Sequence, residues 1–239
     1  MPLPKIATPT YELELPSTGK SIKYRPFLVK EEKVLVIALE SEDTKQITNA
    51  IKAVLKNCVL TKGIKVETLP TFDIEFLFLN IRGKSVGEEI EVNIVCPDDG
   101  ETNVPVFIDL DSIQVERSDD HTNQIKLDDD LMMEMKYPSL EQFIKNNFDF
   151  QEGNQMDQSF ELIATCIDKI YNEDEVWATA DCTKKEVKDF LESMNSSQFK
   201  EIEKFFESMP KLKHTIEVTN PNTKVTSEVV LEGLASFFG

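Results

Sequence analysis

Histidine is scarce in this chain: His121 and His214 are the only two among 239 residues, and they lie in differently patterned stretches. A catalytic triad needs nucleophile, base and orienting group to converge. No local signature brings Cys96 or Cys182 to His214, so the histidines are expected to be packed or solvated. Glycine is scarce too, at 8 residues, and neither a Walker loop nor a G-x-G-x-x-G occurs, which removes the common phosphate cradles. Cys58, Cys96, Cys166 and Cys182 are scattered, with no C-x-x-C pair. They read as reduced thiols, some of them core residues, in a reducing compartment. No apolar run approaches the ~20 residues that span a bilayer, and Met1–Thr10 lacks the charged-then-apolar pattern of a signal peptide. Bases are outnumbered, 26 Lys and Arg against 44 Asp and Glu, for a formal net charge of −18. Such a chain repels phosphate backbones and anionic lipid, and no basic cluster with interleaved aromatics offers a local exception. Nucleic acid and membrane are therefore not expected as main partners.

What remains is ordinary soluble, globular material. Hydrophobic residues make up 40% and charged residues 29%, and the length fits one or two domains. Tyr11, Leu13 and Leu15 alternate with Glu12 and Glu14, Pro16-Ser17-Thr18-Gly19 follows, and Ile22 and Tyr24 resume the alternation. Period two on both sides of a glycine-containing turn predicts a β-hairpin. Pro26 ends it, and a helix is predicted from near Lys30 through Val34, Leu35, Ile37 and Ala38. Asp43 and Gln46 read as a capping pair ahead of a helical stripe of Ile47, Ala50, Ile51, Val54, Leu55 and Cys58. Thr71 to Ile81 is almost wholly apolar. Acids at its front (Asp73, Glu75), bases at its rear (Arg82, Lys84) and Gly83 at its end predict a buried helix.

From Glu88 to Met135 the period falls to two. Ile90, Val92 and Ile94 precede the turn Pro97-Asp98-Asp99-Gly100, and Val104 and Val106 follow it. Shorter alternations run through Ile113 and Val115, Ile125 and Leu127, and Met133 and Met135. Helices then return. One starts at Pro138 with the box Ser139–Gln142, and another covers 160–171 with Leu162, Ile163, Cys166, Ile167 and Ile170. A third follows the box Thr183–Glu186 and carries Val187, Phe190, Leu191 and Met194. After Asn195-Ser196-Ser197 a fourth carries Phe199, Ile202, Phe205, Phe206 and Met209 up to Pro210. A last hairpin sets Ile216 and Val218 against Val225, Val229 and Leu231 around Asn220-Pro221-Asn222-Thr223, and the chain closes on Leu234 and Phe237-Phe238. The predicted class is α+β: helical layers flanking a central antiparallel β region, with N- and C-terminal β-hairpins. The segments are 1–87, 88–137 and 138–239, in one or two compact domains.

Chemistry is hard to find. Asp128-Asp129-Asp130 is the densest acidic run, but it has neither the glycine nor the spacing of a calcium loop, and a solvated loop is expected. A glycosidase carboxylate pair has no positive support. Cys96-Pro97-Asp98-Asp99-Gly100 resembles half a zinc knuckle without its second thiolate. Asn220-Pro221-Asn222-Thr223 offers no thiolate, and a structural zinc wants four ligands. These turns sit in stretches that can be overlaid, Ile90–Leu110 on His214–Leu234 with Pro97 on Pro221. Chance likeness of two hairpins is the simpler reading, and a repeat the other.

Two segments are candidates for partner contact. Arg82-Gly83-Lys84-Ser85-Val86-Gly87 sets two cations and two glycines in an acidic chain. It reads as a contact loop or tight internal junction through Arg82, Lys84, Ser85 and Gly87, or as a helix C-cap whose cations answer the dipole. The stripe Phe199, Ile202, Phe205 and Phe206 is either core or, in part, an exposed surface for an apolar partner helix.

Leu13-Glu14-Leu15-Pro16-Ser17-Thr18-Gly19-Lys20, running into Tyr24-Arg25-Pro26-Phe27-Leu28-Val29-Lys30-Glu31-Glu32, resembles the start of the baseplate hub subunit family of T-even-type, contractile-tailed bacteriophages. Phe72-Asp73-Ile74-Glu75-Phe76-Leu77-Phe78-Leu79 with Ile81-Arg82-Gly83-Lys84-Ser85-Val86-Gly87-Glu88 is similar to that family's central segment. Leu231-Glu232-Gly233-Leu234 with Phe237-Phe238 is similar to its end. The resemblance brings no catalytic residue. It implies a non-enzymatic tail protein, a structural subunit of the central baseplate hub, whose partners are other hub or tail proteins, the tape-measure protein among them. Such a protein would be assembled in the host bacterial cytoplasm and retained in the virion tail. The alternative is a hub or tape-measure assembly chaperone absent from the mature virion; a hub hydrolase is disfavoured by the missing machinery. The resemblance also implies fuller cysteine pairs in the hairpins of some relatives. Asp99, Asn220 and Thr223 stand at those places here, so no metal or cofactor is expected.

Overall fold

Strand alternation at the amino end closes as predicted. In the computed structural model, which describes residues 6–41, 43–140, 155–233 and 236, β1 (Tyr11–Glu14) pairs antiparallel with β2 (Ser21–Tyr24), Tyr11 opposite Tyr24. Two helices follow, α1 (Val29–Glu40) and α2 (Thr44–Cys58). Asp43 caps α2, accepting from the amides of Lys45 and Gln46 at 2.8 and 3.2 Å, and the α2 stripe from Ile47 to Cys58 is buried. The end of α2 returns to the hairpin, where the Arg25 amide donates to the Cys58 carbonyl and the Leu60 amide to that of Lys23.

Helix α3 (Thr71–Val86) is the centre of the first core. Phe72, Ile74, Leu77, Leu79 and Ile81 are all buried, so it is covered on most of its circumference, as a nearly continuous apolar helix requires. Gly83 does not end it. The helix runs one turn further, and Gly87 (φ 139) closes it by donating to the Gly83 carbonyl at 3.0 Å. At position 83 a β-carbon would sit 3.3 Å from Leu110 Cδ1, so this glycine serves close approach rather than termination.

Every strand pairing among the described residues is antiparallel. β3 (Glu89–Val95) pairs with β4 (Asn103–Asp109). β5 (Gln114–Glu116) pairs with β10 (Lys211–Thr219), which pairs with β11 (Thr226–Glu232). These strands share the first core with α2 and α3. A four-stranded sheet runs in the order β6 (Gln124–Lys126), β7 (Met132–Met135), β8 (Ile167–Tyr171), β9 (Val176–Ala178). It is covered by α4 (Gln155–Cys166), α5 (Lys184–Glu192) and α6 (Ser196–Ser208), and together they enclose a second core that includes Met133, Ile167, Ile202 and Phe205. The stretch 88–137 is thus divided between the two cores.

The helix expected over 160–171 stops at Cys166, because Ile167–Tyr171 pairs with β7 instead. Helical spacing of Ile163, Cys166, Ile167 and Ile170 also suits a helix that hands over to a half-buried strand, and tertiary pairing overrides the local period. Both predicted boundaries of the last helices hold. Thr183 and Asn195 each form a reciprocal capping box, with Glu186 and Gln198. Most of the short helix predicted behind Ser139, and the terminal Leu234 and Phe237-Phe238, lie outside the described residues.

Candidate functional site

The Arg82–Gly87 segment is tied inward. The Lys84 ammonium pairs with Glu88 and, at 3.1 Å, with Asp111, and lies 5.7 Å from the Tyr11 ring centre. The Glu88 and Asp111 carboxylates push its pKa up despite burial. Ser85 accepts the Phe27 amide at 2.9 Å and donates to the Ile81 carbonyl. Arg82 is half-buried, and burial draws its pKa down. These contacts join the last turn of α3 to the hairpin and to the lead of α1.

The aromatic stripe of α6 is divided. Ile202 and Phe205, at 0% and 2% exposure, face the second core, and Phe205 also edges an open pocket between α6 and β6, with Ile125, Leu127, Glu201 and Lys204 around it. Phe199 and Phe206 are half-buried, Phe199 stacking on Phe160 at 5.4 Å and Phe206 meeting the Phe205 ring edge-on at 5.2 Å.

His121 sits against this stripe. Its Nδ1 lies 2.9 Å from Ser208 Oγ and its Nε2 2.9 Å from the Tyr137 hydroxyl. Ser208 already donates to the Lys204 carbonyl at 2.6 Å. The ring therefore donates from Nδ1, and the Tyr137 hydroxyl, free to donate to Nε2, suits the neutral tautomer. Burial, then Arg117, lowers its pKa. Two buried thiols are equally quiet. Burial pushes Cys58 up to about 11 and Cys166 up to about 12, far from the thiolate a nucleophile needs. Among the described residues no group of three or more His, Cys, Asp or Glu side chains is arranged to hold a metal ion, and no helix is long and apolar enough to cross a membrane.

An exposed apolar face on α1 was not foreseen. Glu31, 3% exposed, reaches back to accept the Leu28 amide at 2.9 Å and pairs with Arg25 at 2.9 Å. Burial raises its pKa, but Arg25 and the Leu28 amide outweigh that and hold it low. This anchor and buried Ala38 fix which side of α1 faces inward. The other side shows Val29 at 79%, Val36 at 47% and Ile37 at 53% exposure, with Lys30 and Lys33 beside them. The signal was in the run from Val34 to Ala38: five successive apolar residues cannot all face one side of a 3.6-residue helix.

The turns that resembled halves of a zinc knuckle meet. Asn220, fully buried, donates from Nδ2 to Asp99 Oδ2 at 2.8 Å and to Asp98 Oδ1 at 3.1 Å. Thr223 Oγ1 donates to Asp98, and Asn222 Nδ2 to Thr102 Oγ1 at 3.1 Å. Within its own turn the Asn220 carbonyl oxygen Oδ1 accepts the amides of Asn222 and Thr223 at 2.8 and 3.3 Å. Asp99 is held well below the usual carboxylate range by Thr102, whose hydroxyl and amide both donate to it. Cys96, buried at 1% exposure, belongs to the apolar first core. A zinc site is therefore not supported by this donor set, in which one thiol faces an amide, a hydroxyl and engaged carboxylates.

The family model described as T4 bacteriophage base plate protein matches residues 8–239. No curated protein and no solved structure matches the chain.

Proposed function

Because the chain belongs to the T4 bacteriophage base plate protein family, we propose that it is a non-enzymatic structural subunit of the central baseplate hub, acting through contacts with other tail proteins. The exposed side of α1 carries this reading. Val29, Val36 and Ile37 present apolar surface together on one side of α1. Fully burying such a side chain is worth roughly 1.5–3 kcal/mol; Val36 and Ile37 are already about half covered, so the three together supply a few kcal/mol at the centre of a contact. Lys30 and Lys33 lie beside them together with exposed Glu32 and Glu40, so the face suits an apolar helix on another hub or tail protein whose margins carry charges of both signs. The subunit would join the hub in the host cytoplasm and stay in the baseplate. The tape-measure protein is a second partner of the same kind.

The test is a Val36→Glu, Ile37→Glu double variant. Both residues face solvent in the free chain, so its thermal unfolding is expected to match wild type. Its incorporation into hub complexes, read by pull-down from infected cells complemented with the variant, is expected to be lost. A folded variant that enters the hub normally would remove α1 from the contact surface.

A further inference from the structure

Beyond that role, the two facing turns carry a conclusion of their own. Cys96 and Asp99, and Asn220 and Thr223, are first and fourth residues of equivalent turns. In each the fifth residue is left-handed, Gly100 at φ 69 and Lys224 at φ 66. In each that residue's amide returns to the carbonyl of the first, at 2.9 Å in one and 3.0 Å in the other. Lys224 is the sole non-glycine with positive φ among the described residues, and it stands where the other turn has glycine. Two turns of this kind, face to face with thiolates at first and fourth positions, are the frame of a four-cysteine zinc site. Here the four positions hold one thiol, Cys96, with Asp99, Asn220 and Thr223 at the other three.

We propose that the turns form a metal-free clasp on a zinc-knuckle frame, in which the Asn220 carboxamide stands in for the ion and hydrogen bonds rather than metal coordination join the tips of hairpins β3–β4 and β10–β11. The Asn220 side chain is fully used: its amide nitrogen is shared by Asp98 and Asp99, and its oxygen is shared by two backbone amides. A buried amide with every group satisfied is rigid and specific. It also needs no ion, so the joint is indifferent to metal supply and to oxidation of thiols.

The test uses the full chain. Wild type is expected to carry no stoichiometric zinc by elemental analysis and to melt at the same temperature with and without chelator. Asn220→Ala is expected to lower the melting temperature, because Asp98 and Asp99 then face each other without their shared donor. Restoring the thiolates in an Asp99→Cys, Asn220→Cys, Thr223→Cys triple variant is expected to create a tetrahedral site with Cys96, read with cobalt as thiolate charge-transfer absorption that zinc displaces. Stoichiometric zinc in wild type, or an unchanged melting temperature in Asn220→Ala, would overturn the clasp. A triple variant that takes up no cobalt, folded or not, would overturn the knuckle frame.

Discussion

Asp73 offers the sharpest test of how the first core is tied together. It is fully buried in the first turn of α3, and its carboxylate accepts the Ser17 amide at 2.9 Å and the Ser17 hydroxyl. It therefore fastens the turn of the amino-terminal hairpin to the central helix, 56 residues away in sequence. Asp73→Ala removes both bonds and strands the Ser17 amide. Hydrogen bonds to a charged group are worth about 1.5–3 kcal/mol, and relief of the buried charge offsets part of that. A net loss of about 2–3 kcal/mol lowers the melting temperature by roughly 4–12 °C in a chain of this size. Asp73→Asn keeps an acceptor for the amide and discards the charge, so it is expected to lie much nearer wild type. The pH dependence has a definite sign. Burial raises the folded pKa of Asp73, against Ser17 and Arg117, above the unfolded value of about 3.9. The folded state then holds a proton that the unfolded state releases, so this group's contribution is present at low pH and is lost as pH rises through the folded pKa. Melting curves by circular dichroism from acid to neutral pH measure both effects. An Asp73→Ala protein within about 0.5 kcal/mol of wild type, the ordinary scatter of surface substitutions, would refute the tether.

Two further outcomes follow from the second core. The folded pKa of His121 is lowered by burial and Arg117, below the unfolded value of about 6.5. Its contribution is thus full above that value and is lost as pH falls toward the folded pKa; His121→Gln is expected to flatten the melting temperature over that window, and an identical pH profile in both proteins would contradict the neutral tautomer. Phe205→Ala, at a residue 2% exposed, is expected to cost about 3–5 kcal/mol by denaturant titration, and half-buried Phe206→Ala clearly less. Equal costs would show that α6 does not insert Phe205 into the core.

Elements whose signal is local were legible in the sequence. The capping box at Thr183, the helix boundary at Asn195-Ser196-Ser197 and the α2 stripe reappear in place, because the residues that make these elements are neighbours along the chain. What depends on partners distant in sequence was not legible. Ile167 changes from helix to strand because β7 is there to receive it, and α3 passes through Gly83 because Leu110 packs against its missing side chain. Likewise, the meeting of the two turns rests on contacts between positions 121 and 122 residues apart. The overlay of Pro97 on Pro221 was the one trace of it in the sequence. Recognition of α1 as a surface helix needed the burial of Glu31, which its sequence of mixed charges and valines conceals.

Whether the protein is a built-in hub subunit is decided most directly by quantitative mass spectrometry of purified mature tails. A structural subunit is present in a fixed ratio to the other baseplate proteins and survives stringent purification. Its absence from mature tails, with retention in assembly intermediates, would contradict the account and identify the chain as an assembly chaperone.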